Sequence, residues 1–413
     1  MTDSTDKQTG KPFRAVQPIR PEMQEPDSEA ARAWTKFCDR LKHAGHLLLS
    51  QPKTEHPMLQ AESLRFFVRE LRTALEWETE LAIYQSPRWY LVDDSGSGPP
   101  GPNQDNEYWK ARIFPGATYR IEIDTNTIDD IIIQVNNKEY RNDGDYSFKD
   151  FTIGNDGKLT IFVGPEPMPE TGGVNWIRSL PDVYRVAMRV YYHDWEKHHR
   201  PDVWIERLDE PDHKSDPPPI PVMSGALDAV VDWMESWPYI YPIFQTLYAD
   251  QAPPNEVRPP LGIPGGGQEI QYGLARVELA DDEALLVESD VPDAPYWGFH
   301  VYTMPWFSQI DPANRVTALN DRQSHVSSDG KVRYVVSKAD PGIQNWLDTG
   351  GFPTLSVFYR WIWSNDSPAP VSRVVKLADL RRELPADTPV FTPEDRRDQI
   401  AARRRHLQNR FRA

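Results

Sequence analysis

A short pattern that occurs twice in the chain decides the fold. Residues 156–163 read DGKLTIFV, and residues 329–336 read DGKVRYVV. In each copy an Asp-Gly-Lys tripeptide, typical of a hairpin turn, leads into a run rich in β-branched and aromatic residues, which favours a strand. An Asn-Trp pair follows each strand after a proline-containing loop, at Asn175-Trp176 and at Asn345-Trp346. The recurrence indicates one β-rich unit present twice.

Other features extend the two copies. A Tyr-Trp pair opens each one, at Tyr108-Trp109 and at Tyr296-Trp297, and a long strand pattern in each contains an arginine, Arg189 or Arg360. We expect the two tryptophans, and likewise the two arginines, to occupy equivalent positions. The sequence therefore predicts a mainly β protein with helical additions, built from two tandem, related antiparallel domains of sandwich or jelly-roll-like fold. Chance recurrence of common turn dipeptides is the alternative explanation.

Helical patterns and proline-rich stretches divide the rest of the chain. Apolar residues recur at helical spacing after Ser28, and helices are also expected from Ser224 to Trp237 and from Thr392 onward. The predicted division is 1–28 as a disordered tail, 29–92 as an N-terminal helical region, 100–208 as the first β-domain, 209–268 as a proline-rich linker with helices, 269–378 as the second β-domain and 379–413 as an arginine-rich C-terminal helical extension.

Composition excludes several classes of function. The formal net charge is −16, and an acidic chain repels nucleic-acid phosphates. No apolar run of about 18 residues is present, so no membrane span is expected. Cys38 is the only cysteine, which leaves no internal disulfide and no cysteine-based metal site. The N-terminus has no signal-peptide pattern, and we expect a cytoplasmic protein.

Longer motifs link the chain to a family. The run GPNQDNEYWKARIFPGATYRI (101–121) and the run DGKVRYVVSKADPGIQNWLDTGG (329–351), followed by FYRW (358–361), resemble motifs of the bacterial proteins grouped as domain of unknown function 1214. The stretches at 191–208 and 384–411 are similar to members of that group as well. The resemblance implies β-sandwich-like domains with helical additions. It supplies no catalytic residues.

The second β-domain is predicted to line the functional pocket, because its loops place polar residues beside aromatic ones. Asp348 is the first candidate for proton transfer and Asp311 the reserve, since an acid near tryptophans is partly desolvated and its pKa rises. Arg360 is expected to bind a polar or anionic group of the ligand. The other predicted substrate-binding residues are Asn345, Trp346, Asn320, Gln323, Trp306, Trp361 and Tyr359. Turn caps, core aromatics and a structural salt bridge are the alternative interpretation of these residues.

Two further clusters carry weaker signals. If residues 319–325 are extended, Asp321 and His325 share a strand face and can form an acid–base pair. His193, His198 and His199 form the only histidine cluster, and without a further well-spaced ligand the sequence favours a solvated turn over zinc. No metal and no nucleotide or flavin cofactor is expected, because their motifs are absent.

The sequence predicts a protein that binds a hydrophobic small molecule, terpenoid-, steroid- or lipid-like, between its domains. Acid–base chemistry of lyase, isomerase, cyclase or hydrolase type is expected to transform the ligand without a metal or a nucleotide. Seven arginines lie between Arg396 and Arg412, so the C-terminal helix is expected to dock on an acidic surface of its own chain or of a second subunit in a homo-oligomer. The alternative is a non-catalytic binding or assembly module.

Overall fold

A computed structural model gives the architecture. It describes residues 27–51, 55–83, 87–92, 101–139, 141, 144–168, 172–212, 214, 216–244, 246, 250–262 and 267–410, with backbone only for 237–244. The predicted disordered tail, residues 1–28, lies outside the described residues except for its last two.

Sixteen strands and five α-helices are described. The helices are α1 (Glu29–Leu49), α2 (Pro57–Leu75, continued by a π-helical segment, Glu76–Leu81), α3 (Ile220–Phe244), α4 (Leu380–Glu383) and α5 (Pro393–Arg410). The strands of the first half are β1 (Trp89–Val92), β2 (Asn106–Arg112), β3 (Tyr119–Asp124), β4 (Asp130–Asn136), β5 (Lys158–Gly164), β6 (Trp176–Arg178), β7 (Arg185–Tyr191) and β8 (Val203–Arg207). Those of the second half are β9 (Ile270–Val277), β10 (Glu283–Asp290), β11 (Tyr296–Thr303), β12 (Ala318–Asn320), β13 (Lys331–Ser337), β14 (Trp346–Asp348), β15 (Leu355–Ile362) and β16 (Val371–Lys376).

Each half is a sandwich of two four-stranded sheets. The first half has the sheets β1-β2-β7-β4 and β6-β5-β3-β8, and the second has β12-β11-β15-β9 and β14-β13-β10-β16. Neighbouring strands are antiparallel except β5 with β6 and β13 with β14. Alternation produces the cores: in β3, Tyr119, Ile121 and Ile123 are buried between the sheets while the residues between them are more exposed. The prediction of two β-sandwich domains is confirmed.

The two halves have the same strand order, which confirms the internal repeat. The order β2-β7-β4 in the first half corresponds to β9-β15-β11 in the second, and β6-β5-β3-β8 corresponds to β14-β13-β10-β16. Strand β12 is left out of this comparison. Arg189 in β7 lies opposite Tyr108 in β2, and Arg360 in β15 lies opposite Tyr272 in β9. The two arginines therefore occupy equivalent positions, as predicted.

The predicted equivalence of Trp109 and Trp297 is wrong. Trp109 belongs to β2, whose counterpart is β9, whereas Trp297 belongs to β11, the counterpart of β4. The residues that match β2 are the Tyr-x-x-Ala-Arg pattern that runs from Tyr108 to Arg112 and again from Tyr272 to Arg276. A dipeptide is too short to identify a strand, because its position is set by the pairing register of the whole strand.

The halves pack sheet against sheet. All eight residues of β15 are buried, because one face covers the second core and the other faces the first half. Tyr191, on the outer face of β7, contacts the rings of Tyr296 and Trp363 at centroid distances of 5.6 and 5.7 Å. The sheet of β2 and β7 thus faces the sheet of β11 and β15, and this inter-sheet region lies between the two cores.

Helices flank this arrangement. Helix α1 begins directly after Ser28, where the sequence predicts a helical pattern, and Ser28 accepts a hydrogen bond from the Ala31 amide. Thr392 and Asp395 cap α5 reciprocally. The expected helix from Ser224 to Trp237 is too short, because α3 begins at Ile220 and continues through Pro238 and Pro242 to Phe244. Each proline removes one backbone hydrogen bond, and packing along α1 and α2 offsets this loss. No helix in the described part of the chain is long and apolar enough to cross a membrane.

Candidate acid–base site between the two halves

Five consecutive polar residues are buried where the halves meet. Asn103 to Glu107 are each at most 1% exposed. The side chains of Gln104, Asp105 and Glu107 have hydrogen-bond partners from both halves and from α5, which offsets much of the cost of burying so polar a stretch. Gln104 donates to the Thr317 hydroxyl at 3.0 Å and accepts from Arg403 at 3.0 Å. This polar hub positions the site next to it.

Asp105 is the centre of the polar hub. One carboxylate oxygen accepts hydrogen bonds from the Trp195 indole at 2.8 Å and from the Asn320 amide at 2.9 Å. The other accepts from the Tyr296 hydroxyl at 2.6 Å. Burial raises the pKa of Asp105 above its ordinary value, against these hydrogen bonds. Asn320 also donates to the backbone carbonyl of His193 at 3.0 Å, which couples the second half to the end of β7.

His193 and Asp321 form a pair beside the polar hub. The distance from His193 Nδ1 to the nearer Asp321 oxygen is 3.9 Å. The His193 ring also packs 4.9 Å from the Tyr296 ring, centroid to centroid. His193 is 6% exposed, and its Nε2 has no hydrogen-bond partner among the described residues. A buried ring nitrogen without a partner is available to a ligand.

The protonation states of the pair suit proton transfer near neutral pH. Burial, reinforced by the charge of Asp105, raises the pKa of Asp321 to about 7. Burial lowers the pKa of His193 to about 4, so the ring is neutral. A carboxyl group with a pKa near 7 both accepts and donates protons at that pH, which is the property of an efficient general acid or base.

His193 lines a cleft of about 770 Å³ between the two halves and α5, and Asp321 directly precedes the lining residues Arg322 and Gln323 in the chain. Its lining includes residues of the first half around Trp195, Arg322 and Gln323 of the second half, and one side of α5. Arg403 of α5 stacks 4.6 Å from the Trp195 ring and donates to the Pro312 and Ala318 carbonyls. The mixture of charged, amide, aromatic and alanine side chains suits a ligand with polar and apolar parts.

The histidine cluster has a different organisation from a metal site. His198 Nδ1 lies 2.6 Å from an Asp129 oxygen, and the same oxygen accepts the backbone N–H of His193. Within the described residues, no three His, Cys, Asp or Glu side chains are placed to hold a metal ion. Asp129 therefore positions the loop that carries His193.

Two of the predicted site residues lie at this site. Gln323 lines the cleft, and Asn320 lies directly behind it. The predicted face-sharing of Asp321 with His325 is wrong. Residues 321–323 form a turn after β12, because the Asn320 side-chain oxygen accepts the amides of Arg322 and Gln323, and Asp321 is paired with His193 instead.

The two aspartates predicted to transfer protons lie elsewhere. Asp348, at the end of β14, accepts from Arg315 and from the Gly350 amide, both at 2.8 Å. Asp311 is exposed in a turn, where it has a φ of 40° and accepts from Asn314. No described hydrogen bond or ion pair joins either carboxylate to Arg360. These contacts are those of a turn cap and a salt bridge, and a catalytic role for either aspartate stays a prediction.

The aromatic candidates are distributed over three regions. Trp361 and Tyr359 point into the second core and donate to backbone carbonyls of Pro368 and Arg258. Trp306 donates to Ser63 and stacks on Phe66 of α2 at 4.9 Å. Trp346 donates to Ser337 at 3.0 Å and lies under the Arg396 guanidinium.

Asn345 and Arg360 complete the predicted set. Asn345 donates to the carbonyls of His325 and Arg333, as its counterpart Asn175 does to Thr152 and Thr160 in the first half. Both copies thus use this asparagine to hold a loop against the sheet. Arg360 faces the inter-sheet region, where it donates to the Tyr302 hydroxyl at 3.2 Å and to the Gly101 carbonyl.

Sequence reasoning missed Asp105, and it weighed His193 only as a metal ligand. The available signal for Asp105 was its place in a run of five polar residues directly before a strand, inside a family motif. The His193–Asp321 pair gave no local signal, because the two residues are brought together only by the packing of the halves.

Comparisons with known proteins give one family and several solved structures. The family described as "Protein of unknown function (DUF1214)" matches the chain twice, over residues 116–194 and 277–365. The chain is similar to an uncharacterized protein from Burkholderia cenocepacia, with 27% identity and a TM-score of 0.77, over 84% of this chain and 98% of that one. A protein from Vibrio parahaemolyticus shows 12% identity and a TM-score of 0.46, over 82% of this chain and all of that one. No curated protein matches the chain.

Proposed function

We propose that this protein, a member of the DUF1214 family, binds a small molecule in the cleft between its two sandwiches and α5 and transforms it by acid–base chemistry. Asp321 exchanges a proton with the ligand, and His193 orients the reacting group through Nε2. The observation that carries the proposal is the buried pair itself, an imidazole without a partner on Nε2 beside a carboxyl group, at a cleft of about 770 Å³. Proton transfer by these groups requires neither a metal nor a nucleotide.

The surroundings support a role for Asp321 in proton transfer. The Asp105 carboxyl group lies nearby, held by three hydrogen bonds, and negative charge on it disfavours a second charge on Asp321. Two carboxyl groups in different environments can then divide the roles, one staying in place and one exchanging a proton. Lyase, isomerase and hydrolase reactions all use such an exchange.

The residues that line the cleft indicate the chemical class of the expected ligand. Trp195, Phe391 and two alanines of α5 supply apolar surface, while Gln323 and several charged residues supply hydrogen-bonding groups. The hydrophobic ligand expected from the sequence is therefore proposed to carry polar groups as well, as an oxygenated terpenoid or steroid does.

A turnover experiment tests the proposal. The full chain is incubated with a small-molecule extract of cells, and mass spectrometry follows which compounds disappear and which appear. Asp321→Asn is expected to lower the rate of that conversion about 10²-fold or more while the thermal unfolding temperature is retained. Asp281→Asn, at an exposed carboxylate paired with Lys338, is the matched control and is expected to leave the rate unchanged.

The pH dependence gives a second readout. The rate is expected to depend on a group with a pKa near 7, and this dependence is expected to disappear in Asp321→Asn. A compound that is retained but never converted indicates the alternative, a non-catalytic binding module. Equal rates in Asp321→Asn and the control contradict the assignment of Asp321.

A further inference from the structure

The first sandwich carries a second cleft, of about 450 Å³, which shares no lining residue with the cleft of the proposed acid–base site. Its floor is the sheet β6-β5-β3-β8, on the face that points away from the first core. Glu122 in β3 lies between Thr160 in β5 and Trp204 in β8 in the pairing register. We call this surface the outer cleft. The charged residues of its lining are Glu122, Asp124, Lys158 and Asp202.

Trp204 presents an open aromatic ring in the outer cleft. The residue is 60% exposed. Among the described residues it stacks on no other ring and its indole donates no hydrogen bond. The face of an indole ring attracts cations more strongly than any other side-chain ring does, and it also packs well against aliphatic chains. Trp204 is therefore suited to bind an organic cation.

The pairing registers identify the equivalent surface of the second sandwich. Strands β5 and β13 each begin at the lysine of an Asp-Gly-Lys turn, so their third residues, Thr160 and Arg333, are equivalent. Thr160 pairs with Glu122 and Arg333 pairs with Glu288, which makes the two glutamates equivalent. The residues that pair with these glutamates in β8 and β16 are then equivalent as well. They are Trp204 and Val371.

In the second sandwich a guanidinium neutralises this surface. Arg333 donates to Glu288 at 2.7 Å and to Asp329 of the turn at 2.6 Å. Lys331 also lies 3.2 Å from Glu288. The first sandwich has the same glutamate, turn aspartate and lysine, but Thr160 stands in place of the arginine. The outer cleft therefore has the carboxylates that bind a guanidinium in the second sandwich, without the guanidinium.

The cations of the first sandwich do not fill this place. Arg120 pairs with Glu206, and its distance to Glu122 is 3.4 Å. Lys158 forms no ion pair among the described residues, whereas its counterpart in the second sandwich does. Three carboxylates and one ammonium group line the outer cleft, which is a formal net charge of −2. The charge and the aromatic ring both favour a cationic ligand.

We propose that the outer cleft binds a small organic cation, with a guanidinium or primary ammonium group on an aliphatic chain. The cationic group occupies the place that the Arg333 guanidinium has in the second sandwich and binds Glu122, while the chain packs on Trp204. Charge-assisted hydrogen bonds and cation–π attraction stabilise the complex. A volume of about 450 Å³ is in the range of small-molecule sites.

NMR titration of the full chain tests the proposal. n-Butylguanidinium is the cationic probe, and n-butylurea is an uncharged probe of nearly the same shape. The indole N–H signals are followed, and the Trp204 signal is the one that Trp204→Leu lacks. Butylguanidinium is expected to shift this signal with a Kd of about 1 mM or lower, and butylurea to bind at least about tenfold more weakly. Magnesium chloride at matched ionic strength is expected to leave the signal in place.

Variants test the assigned positions. Thr160→Arg is expected to lower the affinity for butylguanidinium at least about tenfold, because the introduced guanidinium occupies the ligand's place as Arg333 does in the second sandwich. Glu122→Gln is expected to lower this affinity about tenfold, through the loss of a charge-assisted hydrogen bond. Glu256→Gln, at an exposed glutamate of the second half, is the matched control and is expected to leave the affinity unchanged.

Several results overturn the proposal. A Trp204 signal that does not respond to butylguanidinium shows that the outer cleft is not its binding site. Equal affinity for the two butyl probes contradicts the role of charge, and unchanged affinity in Thr160→Arg or in Glu122→Gln contradicts the assigned place. An equal shift by magnesium chloride indicates a general attraction of cations to an acidic surface and overturns the site as well. These results do not depend on Asp321 or its cleft.

Discussion

Replacing Lys110 by methionine is expected to stabilise the protein at neutral pH. In the folded chain, burial together with the charges of Arg185 and Arg189 lowers the pKa of Lys110 from 10.5 to about 7. The unfolded chain therefore binds more protons than the folded one between these two values. A group whose pKa is depressed by folding contributes stability that is present above its unfolded pKa and is lost as the pH falls through the folded value. Wild-type stability thus decreases as the pH falls from 10.5 to about 7.

The size of the effect follows from the same two values. A pKa of about 7 in place of 10.5 corresponds to a penalty of about 5 kcal/mol on the charged form. Because Lys110 is only half-buried, solvent offsets part of this penalty, and we expect a gain of about 2–4 kcal/mol for Lys110→Met at pH 7. Methionine keeps the length and the apolar stem of lysine, so the change removes the charge without creating a cavity.

Urea unfolding of both proteins from about pH 6 to about pH 10 measures the difference in free energy of unfolding. The advantage of Lys110→Met is expected to be largest at about pH 7 and below, and to shrink as the pH rises toward 10. Lys338→Met is the control, because that lysine is 54% exposed and pairs with Asp281 on the surface. A destabilised Lys110→Met, or an advantage that does not change with pH, contradicts the description of Lys110 as a desolvated amine.

Three other substitutions test separate parts of the structure. Folding raises the pKa of Asp321 from 3.8 to about 7, so its stabilising contribution is lost as the pH rises between these values, and urea unfolding of Asp321→Asn is expected to show no such loss. Arg410→Met removes the guanidinium that donates to Gln104 and lies near the fully buried Glu107, and is expected to lower the free energy of unfolding by about 3–5 kcal/mol. Asp348→Asn weakens a turn cap and an ion pair, and is expected to lower the free energy of unfolding by about 1 kcal/mol.

The sequence predicted those parts of the fold that depend on local patterns. Each Asp-Gly-Lys tripeptide is a turn followed by a strand, as predicted, because both features depend on residues close in the chain: β5 begins at Lys158 and β13 at Lys331. The strands that they pair with, β3 and β10, are remote in the chain, so the turns do not join two strands of a hairpin. The Asn-Trp pairs were also matched correctly, because Asn175 and Asn345 make the same backbone contacts in the two halves. Trp109 was matched wrongly, because strand identity depends on a pairing register that a dipeptide does not determine.

The sequence was limited in the same way in predicting which residues the arginines of α5 contact. Their number predicted a docking surface but not which one. The structure shows Arg396 contacting Asp340 of the second half, Arg403 contacting Gln104, and Arg410 contacting the backbone around the polar hub. These arginines are thus used within the chain, across both halves. A role of α5 in contacts between copies of the protein stays a prediction for its exposed residues, such as Arg397.

The His193–Asp321 pair depends on packing between the halves, and the neighbours of Lys110 depend on strand pairing; no local pattern encodes either. Lys110 lies in an ordinary strand sequence, and its neighbours Arg185 and Arg189 are remote in the chain but adjacent in the sheet. Duplication explains why such a region exists. Each sandwich needs one sheet face for its core, and the other face of β7 and of β15 is then free to meet its counterpart. An arginine in the same position of each copy, Arg189 and Arg360, therefore faces this region, where Arg189 is half-buried and Arg360 is buried. A single sandwich would leave this face in water, so the burial of Arg360 arises from the pairing of the two halves.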